Sequence, residues 1–295
     1  MALTGLASAS QLVNVDNDDV TVAPVALLHG VTDSCPQTSW TDKISAAIGN
    51  KAVVKCVEIG DGKNTSVFER IKWQAATVCH KLHNDADFAG KEINIIGISQ
   101  GGLIARTVVE RCAELNVNVL FTFGSPHGGV SVYNKCNKWY CPFVNHTLGY
   151  LSELVYIQNW LAPADYFRPY FRLDEFYENS ILLPELNNEK DIKDEGYKAR
   201  ISALNHFGLW MWDQDRTVVP RQSEWFGRWD SDRNDQPLMQ QDLYKEDWLG
   251  LKTLYESERL HFYSGPGAHM HLEDYMINDY LAPLLLGQTP APSEL

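Results

Sequence analysis

The 295-residue chain has no apolar run of the roughly 18 residues that a membrane-spanning helix needs. It also has no cluster of Lys and Arg. The 25 basic residues are outnumbered by 38 acidic ones, for a net charge of -13, whereas a nucleic-acid-binding protein usually presents a basic face. No Cys-X-X-Cys pair and no close His/Cys group has the spacing of a zinc site. We therefore expect no transmembrane segment, no nucleic-acid partner and no bound metal.

The six cysteines are an even number, which allows disulfides in an oxidising compartment, although buried free thiols are an equal alternative on composition alone. Two sequons begin at Asn64 and Asn145, and both are glycan acceptors if the chain is secreted. The first residues lack the basic and apolar regions of a signal peptide. We expect either a chain that begins after processing or a protein that is not secreted.

Apolar β-type runs alternate with helical patterns in the first part of the chain. Strands are predicted at residues 22–30, 52–60, 92–99 and 116–126. Helices are predicted between them, at 39–48, 68–82 and 102–115. This alternation is typical of the α/β class, with a mostly parallel, doubly wound sheet whose strands are covered on both faces.

The pattern breaks at about residues 128–195, which are rich in aromatic residues and short polar pieces. This segment indicates a helical lid insertion, because strand patterns return at 201–215 and 259–267 and a closing helix is predicted at 271–286. We predict one domain over residues 23–295, preceded by a loose leader at 1–22.

A serine lies between two glycines where the predicted third strand meets a helix. Gly97-Ile98-Ser99-Gln100-Gly101 matches G-x-S-x-G, which in α/β-hydrolases holds the nucleophile on a strained turn above the sheet edge. The N-terminus of the following helix offers N–H groups and a partial positive charge to an oxyanion. We interpret Ser99 as a nucleophile; the alternative is a glycine-rich turn with an incidental serine.

A nucleophilic serine needs a base and an acid, which follow it in that fold in the order Ser, Asp or Glu, His. We favour His269, which directly follows the glycine-rich turn after the last strand, over His271, which is predicted to begin the closing helix. Asp215 is the preferred acid, and Asp213 stays open as the alternative. The acid would hold the histidine tautomer and stabilise the imidazolium.

An oxyanion hole in this fold takes one N–H from the residue after the nucleophile, here Gln100, and a second from a loop after an early strand. Residues 27–33 form such a loop, and the N–H of Val31 is the expected second donor. We expect His29 to shape this loop and not to titrate in catalysis.

From about Pro24 to Leu286 the chain closely resembles the palmitoyl-protein thioesterase family of α/β-hydrolases. The resemblance is greater to the plant or protist branch of that family than to the animal branch. The resemblance is carried by the stretches LLHGVTDSC, CVEIGDG, GISQGGLIAR, GSPHGGV, LAPADY, LPELNNE, QSEWFG, LYKEDWLGLKTL and GAHMHL. It implies the nucleophile at Ser99, the histidine at His269, and oxyanion donors at Val31 and Gln100, and it points to Asp215 as the acid.

The resemblance further implies disulfides Cys79–Cys112 and Cys136–Cys141, and it leaves open whether Cys35 and Cys56 form a third. These bridges fit a lysosomal, vacuolar or secreted enzyme. The implied reaction is hydrolysis of long-chain fatty-acyl thioesters, on S-acylated proteins or peptides or on fatty acyl-CoA, with no cofactor.

An acyl chain needs a long apolar groove, and the predicted lid supplies candidate lining residues; the alternative is that they only pack the lid onto the sheet. The candidates are Trp139, Tyr140, Phe143, Leu151, Leu154 and Trp160. Two rival functions remain at this point. One is a lipase or carboxylesterase that acts on oxygen esters, and the other is a non-catalytic acyl-binding module on the same scaffold.

Overall fold

A central sheet of six parallel strands organises the molecule, whose computed structural model describes residues 21–37, 39–132 and 160–295. The spatial order is β2-β1-β3-β4-β5-β8. The bounds are β1 Val25–Leu28, β2 Val54–Cys56, β3 Glu92–Ile98, β4 Asn116–Phe123, β5 His206–Trp212 and β8 Leu260–Gly265. A separate antiparallel pair, β6 Arg228–Trp229 and β7 Asp235–Gln236, lies between β5 and β8 in the chain. The predicted parallel α/β sheet is confirmed.

Helices cover both faces of this sheet. In the first half of the chain they are α1 Trp40–Ala47, α2 Lys63–Phe68, α3 Ile71–Asn84 and α4 Gln100–Arg111. In the second half they are α5 Leu173–Asn179, α6 Leu183–Leu186, α7 Glu195–Ser202, α8 Asp242–Lys245, α9 Leu251–Glu256 and α10 Ala282–Leu285. Short 3-10 turns lie at Cys35–Gln37, Ala162–Tyr166, Tyr170–Arg172, Arg221–Trp225 and Leu238–Gln240.

Alternate residues of a strand point to opposite faces, and the two apolar cores follow that rule. In β1, Ala26 and Leu28 belong to the core shared with α3 and α4, whereas Val25 and Leu27 belong to the core shared with α1 and the C-terminal helices. The predicted apolar face of α3 is buried in the first core through Ile71, Ala75, Val78 and Leu82.

The boundaries of two predicted elements differ from the structure. The helix predicted at 68–82 begins at Ile71 and extends to Asn84 as α3, because Phe68 is the last residue of α2 and Glu69 adopts an extended backbone. The predicted closing helix at 271–286 is a π-helix, Met276–Leu281, followed by α10. Positive φ at Met270 (69°) keeps the preceding loop out of the helix. Pro283 has no N–H for an ordinary helical bond at the π-to-α junction.

Because the strands are parallel, their carboxyl ends lie at one edge of the sheet, where α/β proteins place their sites. The chain leaves β1 at His29, β3 at Ser99, β5 at Asp213 and β8 at Pro266. Much of the predicted lid and nearly all of the predicted leader lie outside the described residues, so the domain and lid boundaries stay predictions. Among the described residues, no helix combines the length and apolarity that crossing a bilayer demands.

Candidate active site

Ser99 occupies the turn between β3 and α4 with backbone angles φ 55° and ψ -126°. A non-glycine residue in that region is strained by about 1–3 kcal/mol, and such strain is held only where the surrounding packing fixes it. The packing here depends on glycine: a Cβ on Gly101 would lie 2.3 Å from the carbonyl oxygen of Leu28. A Cβ on Gly97 would lie 2.3 Å from the Cα of Gly102. Helix α4 therefore begins directly against the backbone of β1 and β3.

The imidazole of His269 lies between the side chains of Ser99 and Asp215. His269 Nε2 is 2.8 Å from Ser99 Oγ, and Nδ1 forms a short hydrogen bond with Asp215 Oδ2. With Nδ1 protonated and donating to the carboxylate, Nε2 is free to accept the Ser99 hydroxyl proton. The structure thus brings together the three residues that the sequence singled out as nucleophile, base and acid.

The carboxylate of Asp215 is buried and has hydrogen-bond partners on both oxygens. Its Oδ1 accepts hydrogen bonds from the N–H of Thr217 (2.6 Å) and of Val218 (3.0 Å). Burial alone raises the pKa of Asp215. The hydrogen bond and the charge of His269, together with the hydrogen bond from the Thr217 N–H, outweigh burial and hold this pKa below its ordinary value. Asp215 is therefore ionised and able to balance an imidazolium.

The two alternatives from the sequence lie away from this contact. Asp213 is exposed, and its N–H donates to the carbonyl of Gly265. His271 is on the surface, where its Nε2 lies 2.7 Å from a carboxylate oxygen of Glu273. In the structure, Asp215 and not Asp213 meets His269.

The loop after β1 runs beside the nucleophile. A Cβ on Gly30 would lie only 3.3 Å from Ser99 Cβ, so the backbone approaches the serine closely. Within the described part of the chain, neither the Val31 N–H nor the Gln100 N–H donates to another residue. Gln100 directly follows Ser99 and Val31 directly follows Gly30, so both predicted oxyanion donors are close to the serine in the chain or the fold, and within the described residues their hydrogens are unused.

Polar contacts of His29 and Glu58 hold the loop after β1 in place. His29 Nε2 is 2.7 Å from Glu58 Oε1, and His29 Nδ1 is 2.9 Å from the carbonyl of Gly30. The other oxygen of Glu58 accepts from the N–H of Cys35 at 2.9 Å. These contacts support the shaping role expected of His29, which stays a prediction. The sequence did not single out Glu58, although it lies in the stretch CVEIGDG and is a charge inside the predicted apolar run 52–60.

Ser66 of α2 contacts both segments that carry the predicted oxyanion donors: the loop with Val31 and the start of α4 with Gln100. Its Oγ accepts from the N–H of Thr32 at 2.9 Å, and its carbonyl accepts from Gln100 Nε2 at 2.7 Å. The Tyr166 hydroxyl then donates to Gln100 Oε1 at 3.0 Å. In the sequence, Ser66 is only the last residue of the Asn64 sequon and Tyr166 only the end of the stretch LAPADY, because their positions near Ser99 arise from the tertiary fold.

Most of the predicted acyl-groove residues lie outside the described residues: Trp139, Tyr140, Phe143, Leu151 and Leu154. Trp160 is described, with 58% of its surface exposed. The groove stays a prediction.

The described residues contain two disulfides, Cys35–Cys56 and Cys79–Cys112, so the pairing that the sequence left open does form. Cys136, Cys141 and Asn145 lie outside the described residues, and Asn64 is exposed.

Among the described residues, three groups of His, Cys, Asp or Glu side chains lie close enough together to be considered as metal ligands. Two include disulfide-bonded cysteines, and the third is Asp215, Glu224 and His269, whose histidine is already bonded to Asp215 and Ser99.

Residues 24–269 match the family model for palmitoyl protein thioesterase. The chain is 35% identical over 266 residues to palmitoyl-protein thioesterase 3 of Dictyostelium discoideum, with 88% of each protein covered. The chain belongs to the palmitoyl-protein thioesterase family. It is also 30% identical over 277 residues to palmitoyl-protein thioesterase 1 of Caenorhabditis elegans, covering 88% of this chain and 90% of the relative.

A monoacylglycerol lipase from Paleococcus ferrophilus shares the fold, with a TM-score of 0.50, 11% identity, and coverage of 90% of this chain and 94% of the lipase. The α/β-hydrolase fold and the thioester hydrolase class that the sequence resemblance implied are confirmed.

Proposed function

We propose that this thioesterase removes long-chain acyl groups such as palmitate from S-acylated cysteines of proteins, and that fatty acyl-CoA is an alternative substrate of the same chemistry. The observation that carries the proposal is the 2.8 Å contact between Ser99 Oγ and His269 Nε2 at the sheet edge. The free N–H groups beside it supply a place for a developing oxyanion.

In the first half of the proposed reaction, Ser99 Oγ attacks the thioester carbonyl carbon. Its proton passes to His269 Nε2, and Asp215 balances the resulting imidazolium. The carbonyl oxygen becomes an oxyanion held by the N–H groups of Val31 and Gln100; loss of one such donor typically raises the barrier by about 3 kcal/mol.

The tetrahedral intermediate collapses with cleavage of the carbon–sulfur bond. The sulfur takes the proton from His269 and leaves as a thiol, and the acyl group stays on Ser99 as an ester. Water then attacks that ester while His269 Nε2 accepts its proton. Cleavage of the carbon–oxygen bond returns the proton to Ser99 and releases the fatty acid.

We place this enzyme in a lysosome, a vacuole or outside the cell. Its two disulfides suit an oxidising compartment. The sequon residue Asn64 is exposed near the start of α2, where a glycan has room. Its Nδ2 donates only a local hydrogen bond to Asp61, at 2.8 Å.

The deciding experiment compares a palmitoyl thioester with the matched palmitoyl oxygen ester, each rate being divided by the hydroxide-catalysed rate of the same compound. We expect kcat/KM for the thioester to exceed that for the oxygen ester by about tenfold or more after this correction. A reversed preference would identify a lipase or carboxylesterase. Fatty-acid binding with no hydrolysis of either compound would identify an acyl-binding module.

A further inference from the structure

A second buried acid lies behind Asp215. Glu224 is in the 3-10 turn Arg221–Trp225, is 1% exposed, and accepts a hydrogen bond from the N–H of Trp212 on its Oε2 at 3.1 Å. One carboxylate oxygen of Glu224, one of Asp215 and a ring nitrogen of His269 all lie within 4.8 Å of one another. The catalytic cycle proposed above gives Glu224 no task.

Two buried carboxylates so close together do not both ionise, because the repulsion between them is unscreened. Asp215 has two backbone N–H donors and the imidazole, so it keeps the negative charge. Glu224 has one backbone donor, and Arg221 is the cation that weakly favours its ionised form. Burial first, and then the charge of Asp215, raise the pKa of Glu224 well above its ordinary value.

A proton on Glu224 also allows a hydrogen bond that the ionised carboxylate cannot form. Its Oε1 is buried and accepts no hydrogen bond from the described residues. Two ionised carboxylates are both acceptors and cannot bond to each other, whereas a carboxylic O–H is a donor. Asp215 is the acceptor next to it.

We propose that Glu224 is a positioning residue that stays protonated and donates its carboxyl hydrogen to Asp215, which orients that carboxylate toward His269. The proposal rests on the roles assigned to Asp215 and His269 under the proposed function. Glu224 touches no substrate; it restricts the rotation of Asp215 without adding a second negative charge beside the imidazole.

The test compares E224Q with E224A through pH profiles of kcat and kcat/KM on a palmitoyl thioester. The amide N–H of glutamine replaces the carboxylic O–H, so E224Q should retain most of kcat and keep the acid limb of kcat/KM at the wild-type pH. E224A removes the donor and should lower kcat by about 10- to 100-fold with little change in KM.

If Glu224 were ionised, the acid limb of E224Q would not stay at the wild-type pH. Its charge would stabilise the imidazolium, so its removal in E224Q would move the acid limb to lower pH by about one unit. That shift would overturn the proposal, and so would wild-type kcat in E224A or an equal loss in E224Q and E224A. If E224A fails to fold, the acid limb of E224Q still decides.

Two further measurements separate this proposal from the proposed function. The downfield proton resonance of the His269–Asp215 hydrogen bond should persist in E224Q and shift or broaden in E224A, and this signal does not depend on turnover. E110A is the matched control, because Glu110 is equally buried but pairs with Arg106 in α4. E110A should lose stability while the proton resonance and the pH profile keep their wild-type positions.

Discussion

Single residues divide into those that the sequence could predict and those that only the fold brings to the site. Ser99 and His269 stand in local patterns, a G-x-S-x-G turn and a glycine-rich turn after a strand, so their positions follow from neighbouring residues. Glu58 and Glu224 lie in the resemblance stretches CVEIGDG and QSEWFG, but no local pattern gives them or Ser66 a role, and all three are far from Ser99 in the chain. The choice between Asp213 and Asp215 likewise needed the direction of each side chain, which spacing does not give.

At this scale, the comparison of D215N with D213N tests the acid. D215N should reduce kcat by about 10⁴-fold, because a neutral amide no longer holds the Nδ1–H tautomer or balances the imidazolium. D213N is the matched control and should stay close to the wild-type rate, since Asp213 is exposed. Steady-state kinetics on one thioester check both, and a larger loss in D213N would contradict the assignment.

At the scale of elements, α2 holds the segments that carry the two oxyanion donors. S66A removes the acceptor of the Thr32 N–H and should loosen the loop that carries Val31. We expect kcat to fall about threefold to tenfold with KM little changed, because a typical hydrogen bond contributes about 0.5–1.5 kcal/mol and the Thr32 N–H loses this one. S66A also destroys the sequon of Asn64, so N64Q is the matched control. Equal losses in S66A and N64Q would contradict the bracing role.

Asp165, in the 3-10 turn Ala162–Tyr166, accepts the first N–H of α3, that of Ile71, at 2.8 Å. Burial raises the pKa of Asp165 to about 7. A carboxyl whose pKa is higher in the folded chain stabilises the fold at low pH and loses that contribution as pH rises from about 4 to about 7. With respect to this carboxyl, the fold is therefore more stable at acidic than at neutral pH.

D165N mimics the neutral acid and keeps an acceptor for Ile71. Relative to D165N, the wild-type free energy of unfolding should therefore fall between pH 4 and pH 7, by up to about 4 kcal/mol. Denaturant titrations at several pH values measure the difference. A constant difference across that range would contradict a neutral Asp165.

At the scale of the whole molecule, the alternation of strands and helices predicted the sheet, because apolar residues recur at different spacings in strands and in helices. The boundaries of α3 and of the C-terminal helix were wrong, since an extended Glu69 and a positive φ at Met270 depend on tertiary contacts.

The two disulfides should differ in their effects. C79S/C112S should lower stability by about 2–5 kcal/mol with kcat nearly unchanged, because this bridge joins α3 to the end of α4 that is distant from Ser99. C35S/C56S should lower stability and also kcat, because the Cys35 N–H binds the Glu58 carboxylate that holds His29. Thermal unfolding and kinetics of both double variants check this, and equal kcat in the two would contradict it.

The proposed reaction depends on a covalent acyl group at Ser99. The most direct measurement is an acid quench of the enzyme during turnover of palmitoyl-CoA, followed by mass spectrometry of its peptides. We expect one palmitoyl group on the peptide that contains Ser99, and neither adduct nor hydrolysis in S99A. A palmitoyl group on a different residue, or S99A turning over at the wild-type rate, would contradict the account.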